Sequence, residues 1–165
     1  MIVILMGVAG SGKTTIGSRL ADSLGWTYYE GDDFHPPENV AKMSSGIALT
    51  DSDRAPWLQA LANLISNLTT NNSSAVIACS ALKSAYRERL KTGAGPNTDQ
   101  VLFVYLKIPP SVAHERLRKR EGHFMPEALI SSQFEALEEP ADAIVVNATS
   151  SPDKIAAQIK QALGL

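Results

Sequence analysis

The segment Gly7-Val8-Ala9-Gly10-Ser11-Gly12-Lys13-Thr14 constrains this chain more than any other. It fits the pattern G-x-x-x-x-G-K-[ST] and directly follows the apolar run Ile2–Met6, which has the length and composition of a buried strand. Beyond it, Ile16, Leu20, Ala21 and Leu24 recur at helical spacing. A glycine-rich loop between a strand and a helix is the context this motif needs to hold phosphate. Its N–H groups and the helix N-terminus converge on the anion. Lys13 is positioned to reach the β- and γ-phosphates, the Thr14 hydroxyl to ligate Mg²⁺, and Thr15 to extend the contact set that runs from Gly7. A nucleotide, with Mg²⁺, is the expected ligand.

The alternation of strands and helices continues. Candidate strands are Ile2–Met6, Thr27–Glu30, Ala75–Ala78, Val101–Leu106 and Ala143–Val146, mostly continuous apolar runs suited to a parallel sheet covered on both faces. Trp57, Leu58, Leu61, Leu64, Ile65 and Leu68 mark an amphipathic helix. Asp51, Ser52 and Asp53 are its cap candidates, and Pro56 is expected in its first turn. Ile155, Ile159 and Leu163 mark a terminal helix between Pro152 and Gly164. Thr69–Ser74 and Thr92–Asp99 read as surface loops. With no repeat or linker, residues 1–165 are expected to form one domain, a three-layer α/β/α sandwich with ligands at the carboxyl ends of its strands.

The 165 residues carry a net charge of −2, which gives no reason to expect nucleic-acid or membrane partners. No apolar run has membrane-span length, and the single cysteine, Cys79, excludes an internal disulfide, so a reduced cytoplasm is expected. Cys79 ends an apolar run and reads as a buried thiol. The guanine-reading N-K-x-D of GTPase switches is absent, and the D-x-x-G match at Asp22–Gly25 falls at a helix end, where Gly25 reads as a C-cap. Acids collect instead at Glu30-Gly31-Asp32-Asp33, after the second strand, where a carboxylate could orient a hydroxyl and take its proton. Cations collect at Arg116–Arg120, either a solvated helix end or a lid that brings arginine to the γ-phosphate. Gly122, His123 and Phe124 follow as a hinge-like segment.

These blocks together resemble the gluconokinase family. Glu30–Pro36 is similar to its D-G-D-x-x-H-P, Lys42–Gly46 to K-M-x-x-G, and Asp51–Leu58 to D-x-D-R-x-P-W-L. Cys79–Lys83 with Tyr86-Arg87 resembles C-S-A-L-K-x-x-Y-R, and Gly122-His123-Phe124 with Gln133–Pro140 resembles the lid and the helix after it. The resemblance implies ATP-dependent phosphorylation of D-gluconate at its 6-hydroxyl to 6-phospho-D-gluconate. It also implies a fold like the nucleoside monophosphate and shikimate kinases with sheet order 2-3-1-4-5, a lid over residues 117–127, and a possible homodimer. Asp32 is then the hydroxyl-orienting base, Arg120 the cation on the transferring phosphate, and Arg116 a nucleotide contact. Glu30 would touch Mg²⁺ through water, although the family has aspartate at that place. For the substrate the candidates are Asp32, His35, Arg54, Ser80, Lys83, Arg87, His123 and Gln133. Arg54 is the first choice for the carboxylate, a planar fork for a planar acid. A salt bridge to Asp51 or Asp53 would be its structural alternative. Lys83 and Arg87 share a helical face and could serve carboxylate or phosphates. Two other readings stay open: a shikimate-kinase-like kinase of another small acid, and a nucleotide-binding regulator without turnover.

Overall fold

The computed structural model describes residues 1–120 and 126–165. β1 (Ile2–Met6) leads through the glycine-rich loop into α1 (Lys13–Leu24), and β2 (Thr27–Glu30) into a 3₁₀ turn over Gly31–Phe34 and α2 (Pro37–Ser44). Then come α3 (Asp51–Thr70), β3 (Ala75–Ala78), α4 (Ser84–Gly93), a 3₁₀ stretch over Gly95–Gln100 and β4 (Val101–Lys107). The remainder is α5 (Pro110–Arg118), α6 (Glu127–Ala136), β5 (Ile144–Asn147) and α7 (Pro152–Leu163). All pairings are parallel and the order is β2-β3-β1-β4-β5, as the resemblance implied.

The period of two along β1 builds two cores. Val3 and Leu5 face Ile16 and Leu20 of α1 and Ile155 and Ile159 of α7. Ile2, Ile4 and Met6 face Trp57, Leu61 and Ile65 of α3 and Leu90 of α4. With both faces covered, β1 is excluded from water along its whole length, which is why its sequence is apolar without alternation. The carboxyl ends of β1 and β3 lie side by side in the middle of the sheet, and the loops leaving them meet there.

Several expectations are corrected. The α3 cap is Thr50, whose hydroxyl accepts from the Asp53 N–H at 3.1 Å while the Asp53 carboxylate accepts from the Thr50 N–H at 2.9 Å. This reciprocal box starts the helix at Asp51, so Pro56 falls beyond the first turn. The Ser52 carbonyl that a residue-56 N–H would have reached is on the exposed side, where water can satisfy it. Thr69 and Thr70 belong to α3, and the stretch expected as a loop over 92–99 is the end of α4 plus a 3₁₀ stretch. β4 runs one residue further, to Lys107, and β5 begins and ends one residue later than expected. Gly25 caps α1 in the left-handed region at φ 66, as expected. Of the lid expected over 117–127, residues 121–125, which include His123, lie outside the described residues. No helix among the described residues is long and apolar enough to cross a membrane.

Candidate active site

The glycine-rich loop is fixed from several sides. The Gly7 N–H donates to the Ser80 carbonyl at 3.3 Å, joining the loops after β1 and β3. Gly7 has φ +147, and a Cβ there would stand 2.9 Å from the Leu106 carbonyl oxygen, so only glycine fits. The Lys13 ammonium lies back over the loop, donating to the carbonyls of Gly7 (2.9 Å) and Val8 (3.1 Å). Burial holds its pKa below the ordinary value, and Asp32 is the strongest opposing influence, ahead of Cys79 and Glu30. The acidic loop therefore stands close to the phosphate-loop lysine. Cys79 is buried and its thiol is pushed up to about 12, which leaves it an inert neighbour.

Arg116 donates to the Gly10 carbonyl at 3.1 Å and to the Ala148 carbonyl at 2.7 Å, bridging the loop to the turn between β5 and α7. With Gly12, Thr15, Arg120 and Ser150 it lines a cleft of about 300 Å³ at the start of α1. A cleft beside the phosphate loop and walled by a guanidinium suits the base and sugar of a nucleotide. Arg120 is exposed at this cleft and close enough to Lys13 to depress its pKa further.

Across the loop, the Glu30 carboxylate accepts from the Thr14 hydroxyl at 2.8 Å and the Tyr28 hydroxyl at 2.7 Å. Burial and the Glu30 carboxylate raise the Tyr28 pKa. Thr14 and Glu30, the two oxygen donors expected around Mg²⁺, are thus adjacent. Among the described residues no cluster of three or more His, Cys, Asp or Glu could hold a metal. That donor set fits Mg²⁺, which keeps water and substrate phosphate in its shell and takes only one or two protein ligands. Asp32 is exposed; the fixed element beside it is Gly31, whose carbonyl accepts from the buried Trp57 indole at 2.7 Å. A Cβ on Gly31 would stand 2.2 Å from the Ala78 carbonyl oxygen, so the acidic turn packs directly on β3. His35 stacks on Trp57 with ring centroids 4.4 Å apart.

Arg54 does not pair with Asp51 or Asp53. Its guanidinium donates to the Leu49 carbonyl at 2.7 Å and lies 5.8 Å from the centre of the Tyr86 ring. Asp53 binds Lys42 at 2.8 Å, and Asp51 binds Lys83 at 2.8 Å and accepts from the Tyr86 hydroxyl. Arg87 departs from expectation. It is buried and donates to the Ala81 and Leu82 carbonyls at 3.0 and 3.1 Å, so its charge holds the β3–α4 loop from within and does not face a substrate. Gln133 also departs: its carboxamide oxygen accepts from the Ala9 N–H at 2.7 Å, which places it on the phosphate loop. Ser80 is half-buried next to that loop. Tyr86 and Tyr28 were not singled out from sequence. Each stands in or beside a quoted block, and a phenol within reach of an acid was the available signal.

A family model described as shikimate kinase matches residues 9–164. The gluconokinase of Gluconobacter oxydans is 44% identical over 156 residues, covering 93% of this chain and 85% of that one. The thermosensitive gluconokinase of Escherichia coli is 47% identical over 137 residues, covering 83% and 71%. Among solved structures, a gluconokinase from Sinorhizobium meliloti superposes with a TM-score of 0.83 at 38% identity, covering 98% of this chain and 94% of that one.

Proposed function

Because the chain belongs to the gluconokinase family, we propose that it transfers the γ-phosphoryl group of ATP to the 6-hydroxyl of D-gluconate, yielding 6-phospho-D-gluconate and ADP. The observation that supports this reading beyond family membership is the contact of the Glu30 carboxylate with the Thr14 hydroxyl at 2.8 Å, which joins the acidic turn to the phosphate loop, with Asp32 and Arg120 both acting on the Lys13 charge. Donor phosphates, acceptor hydroxyl and charge compensation can then meet at one place.

In the proposed reaction the Asp32 carboxylate orients the 6-hydroxyl and takes its proton as the oxygen bonds to the γ-phosphorus. The bond from that phosphorus to the β–γ bridging oxygen breaks and ADP leaves. Lys13 swings from the Gly7 and Val8 carbonyls to the phosphates and, with Arg120, stabilises charge on the transferring group. Arg116 flanks the nucleotide. Thr14 directly and Glu30 through water would hold Mg²⁺, which would supply positive charge to offset that of the phosphates. Arg54, without an acidic partner among the described residues and 5.8 Å from the centre of the Tyr86 ring, would receive the gluconate carboxylate, with Lys83 at the same wall. His123 and Ser80 complete the proposed hydroxyl contacts, whereas His35, its side chain 5% exposed and its ring nitrogens turned to Asn39 and Asp32, is left out of them.

A coupled ADP-release assay over sugar acids tests this. D-gluconate should be turned over fastest, with shikimate, glucose and nucleoside monophosphates poor substrates. Faster turnover of any of those three would overturn the assignment. Asp32→Asn should lower kcat by about 10²–10⁴-fold, while Asp33→Asn, one residue along the same turn, should cost little. The reverse ranking would move the base to Asp33.

A further inference from the structure

We infer that Asn39 is a positioning residue that fixes the protonation site of His35, so that a neutral imidazole presents its Nε2–H toward Asp32. This rests on the reading of Asp32 as the group that orients the acceptor hydroxyl.

Asn39 is a buried polar residue, 3% exposed, on the inner side of a short helix that is otherwise largely exposed. Its carboxamide nitrogen donates to the Asp53 carbonyl at 2.8 Å. That contact decides which end of the carboxamide is nitrogen, because an oxygen in its place would face a carbonyl oxygen. The same nitrogen lies 3.2 Å from His35 Nδ1. It carries two hydrogens and accepts nothing, so Nδ1 must be the acceptor. The proton of the neutral ring is then on Nε2. Nε2 lies 4.0 Å from Asp32 Oδ1, and the His35 side chain is 5% exposed.

The ring plane is set independently. His35 stacks on Trp57 at 4.4 Å with an interplanar angle of 12°, and the Trp57 Nε1–H donates to the Gly31 carbonyl, one residue before Asp32. One buried indole therefore registers both the imidazole and the backbone that carries Asp32. Burial pushes the His35 pKa down, against the pull of Asp32, which agrees with a neutral ring. With Nε2–H turned toward Asp32 Oδ1 at 4.0 Å, the exposed carboxylate keeps its other oxygen to accept from the substrate hydroxyl. Without Asn39 the ring could place its proton on Nδ1 and turn a lone pair toward Asp32, which would repel the carboxylate.

The test is the tautomer itself, read from imidazole ¹⁵N shifts and their couplings to ring protons in the labelled, ligand-free protein at neutral pH. The His35 signals are identified by their loss in His35→Gln. The expected result is an unprotonated Nδ1 and a protonated Nε2 in the wild type, with Nδ1 becoming protonated in Asn39→Asp, where a carboxylate now accepts. A wild-type ring protonated at Nδ1, or a pattern unmoved in a folded Asn39→Asp, overturns the inference. The wild-type spectrum alone decides it if that variant does not fold. A kinetic arm compares His35→Gln, whose amide nitrogen can take the place of Nε2–H, with His35→Asn, which cannot reach it. The glutamine variant should retain more kcat, by roughly a few-fold, since a contact at 4.0 Å is weaker than a full hydrogen bond. Equal losses overturn the proposed role. Because the spectrum needs no substrate, a wrong acceptor sugar would leave the tautomer result standing, and a wrong tautomer would leave the gluconate assay standing.

Discussion

Arg87 donates to two backbone carbonyls in the loop where Ala81 has φ 43, a left-handed conformation that costs a residue with a Cβ about 1 kcal/mol or more. The same loop is held from outside, where the Glu138 N–H donates to the Leu82 carbonyl at 2.9 Å and the Ser84 N–H to the Glu138 carboxylate at 2.6 Å. These contacts make Arg87 a brace for a strained turn, whereas Arg54 keeps its guanidinium at the open wall beside Tyr86. Arg87→Ala should therefore lose stability, about 1.5–3 kcal/mol for a buried charge-assisted contact, while its folded fraction keeps nearly normal KM for gluconate. Arg54→Ala should do the opposite, raising that KM with little change in stability. Urea unfolding paired with initial rates separates the two. A stable Arg87→Ala enzyme with a raised gluconate KM would return the carboxylate to Arg87.

Helix α3 is the element that joins stability to the site. Its first turn holds Asp53, and Arg54 follows. Its core face carries Trp57, which fixes Gly31 and His35. The Lys42 ammonium, with the Thr50 N–H, holds Asp53 down to about 2 from an ordinary 3.8. The folded state thus keeps this carboxylate ionised where the unfolded chain protonates it. Its contribution to stability is complete above 3.8 and is lost as pH falls through that value toward 2. Urea midpoints of wild type and Asp53→Asn should differ most at pH 5–6 and converge as pH approaches 2. A gap that stays constant over that range would show that the acid's charge does not matter to α3.

Across the whole molecule the phosphate loop is a knot that ties the loop after β3 to the helical layer of α1, α5, α6 and α7. Gly7 is bonded to the β3 loop through Ser80, Gly10 packs on Ala113 of α5, Ala9 is bonded to Gln133 of α6, and Arg116 reaches from α5 to Ala148 before α7. A ligand held by that loop stabilises every part it ties. At a hundredfold excess over Kd, Mg·ATP should add about 2.7 kcal/mol, or about 5–10 °C in Tm for a chain of this size. Lys13→Met should fold normally and show a much smaller shift, as should wild type with chelator present. Equal shifts for wild type and Lys13→Met would remove Lys13 from the nucleotide site.

The inner strands were legible because they are buried on both faces, so apolarity is written into consecutive residues such as Ile2–Met6 and Ala75–Ala78, whereas the edge strands β2 and β5 are only partly buried. The phosphate loop was legible because its glycines, lysine and threonine act within eight residues of one another. The α3 cap was also legible in principle, since Thr50 and Asp53 have capping-box spacing. The short, mostly exposed α2 carried too little apolar periodicity to be assigned. The jobs of Arg87, Gln133 and Asn39 could not be read from the chain. Gln133 meets Ala9 across 124 positions, and Asn39 meets the Asp53 carbonyl across 14. A polar side chain has the same local pattern whether it faces substrate or backbone. Only the fold decides which unsatisfied donor or acceptor stands opposite it, because a buried polar group takes the partner that packing brings within hydrogen-bond reach.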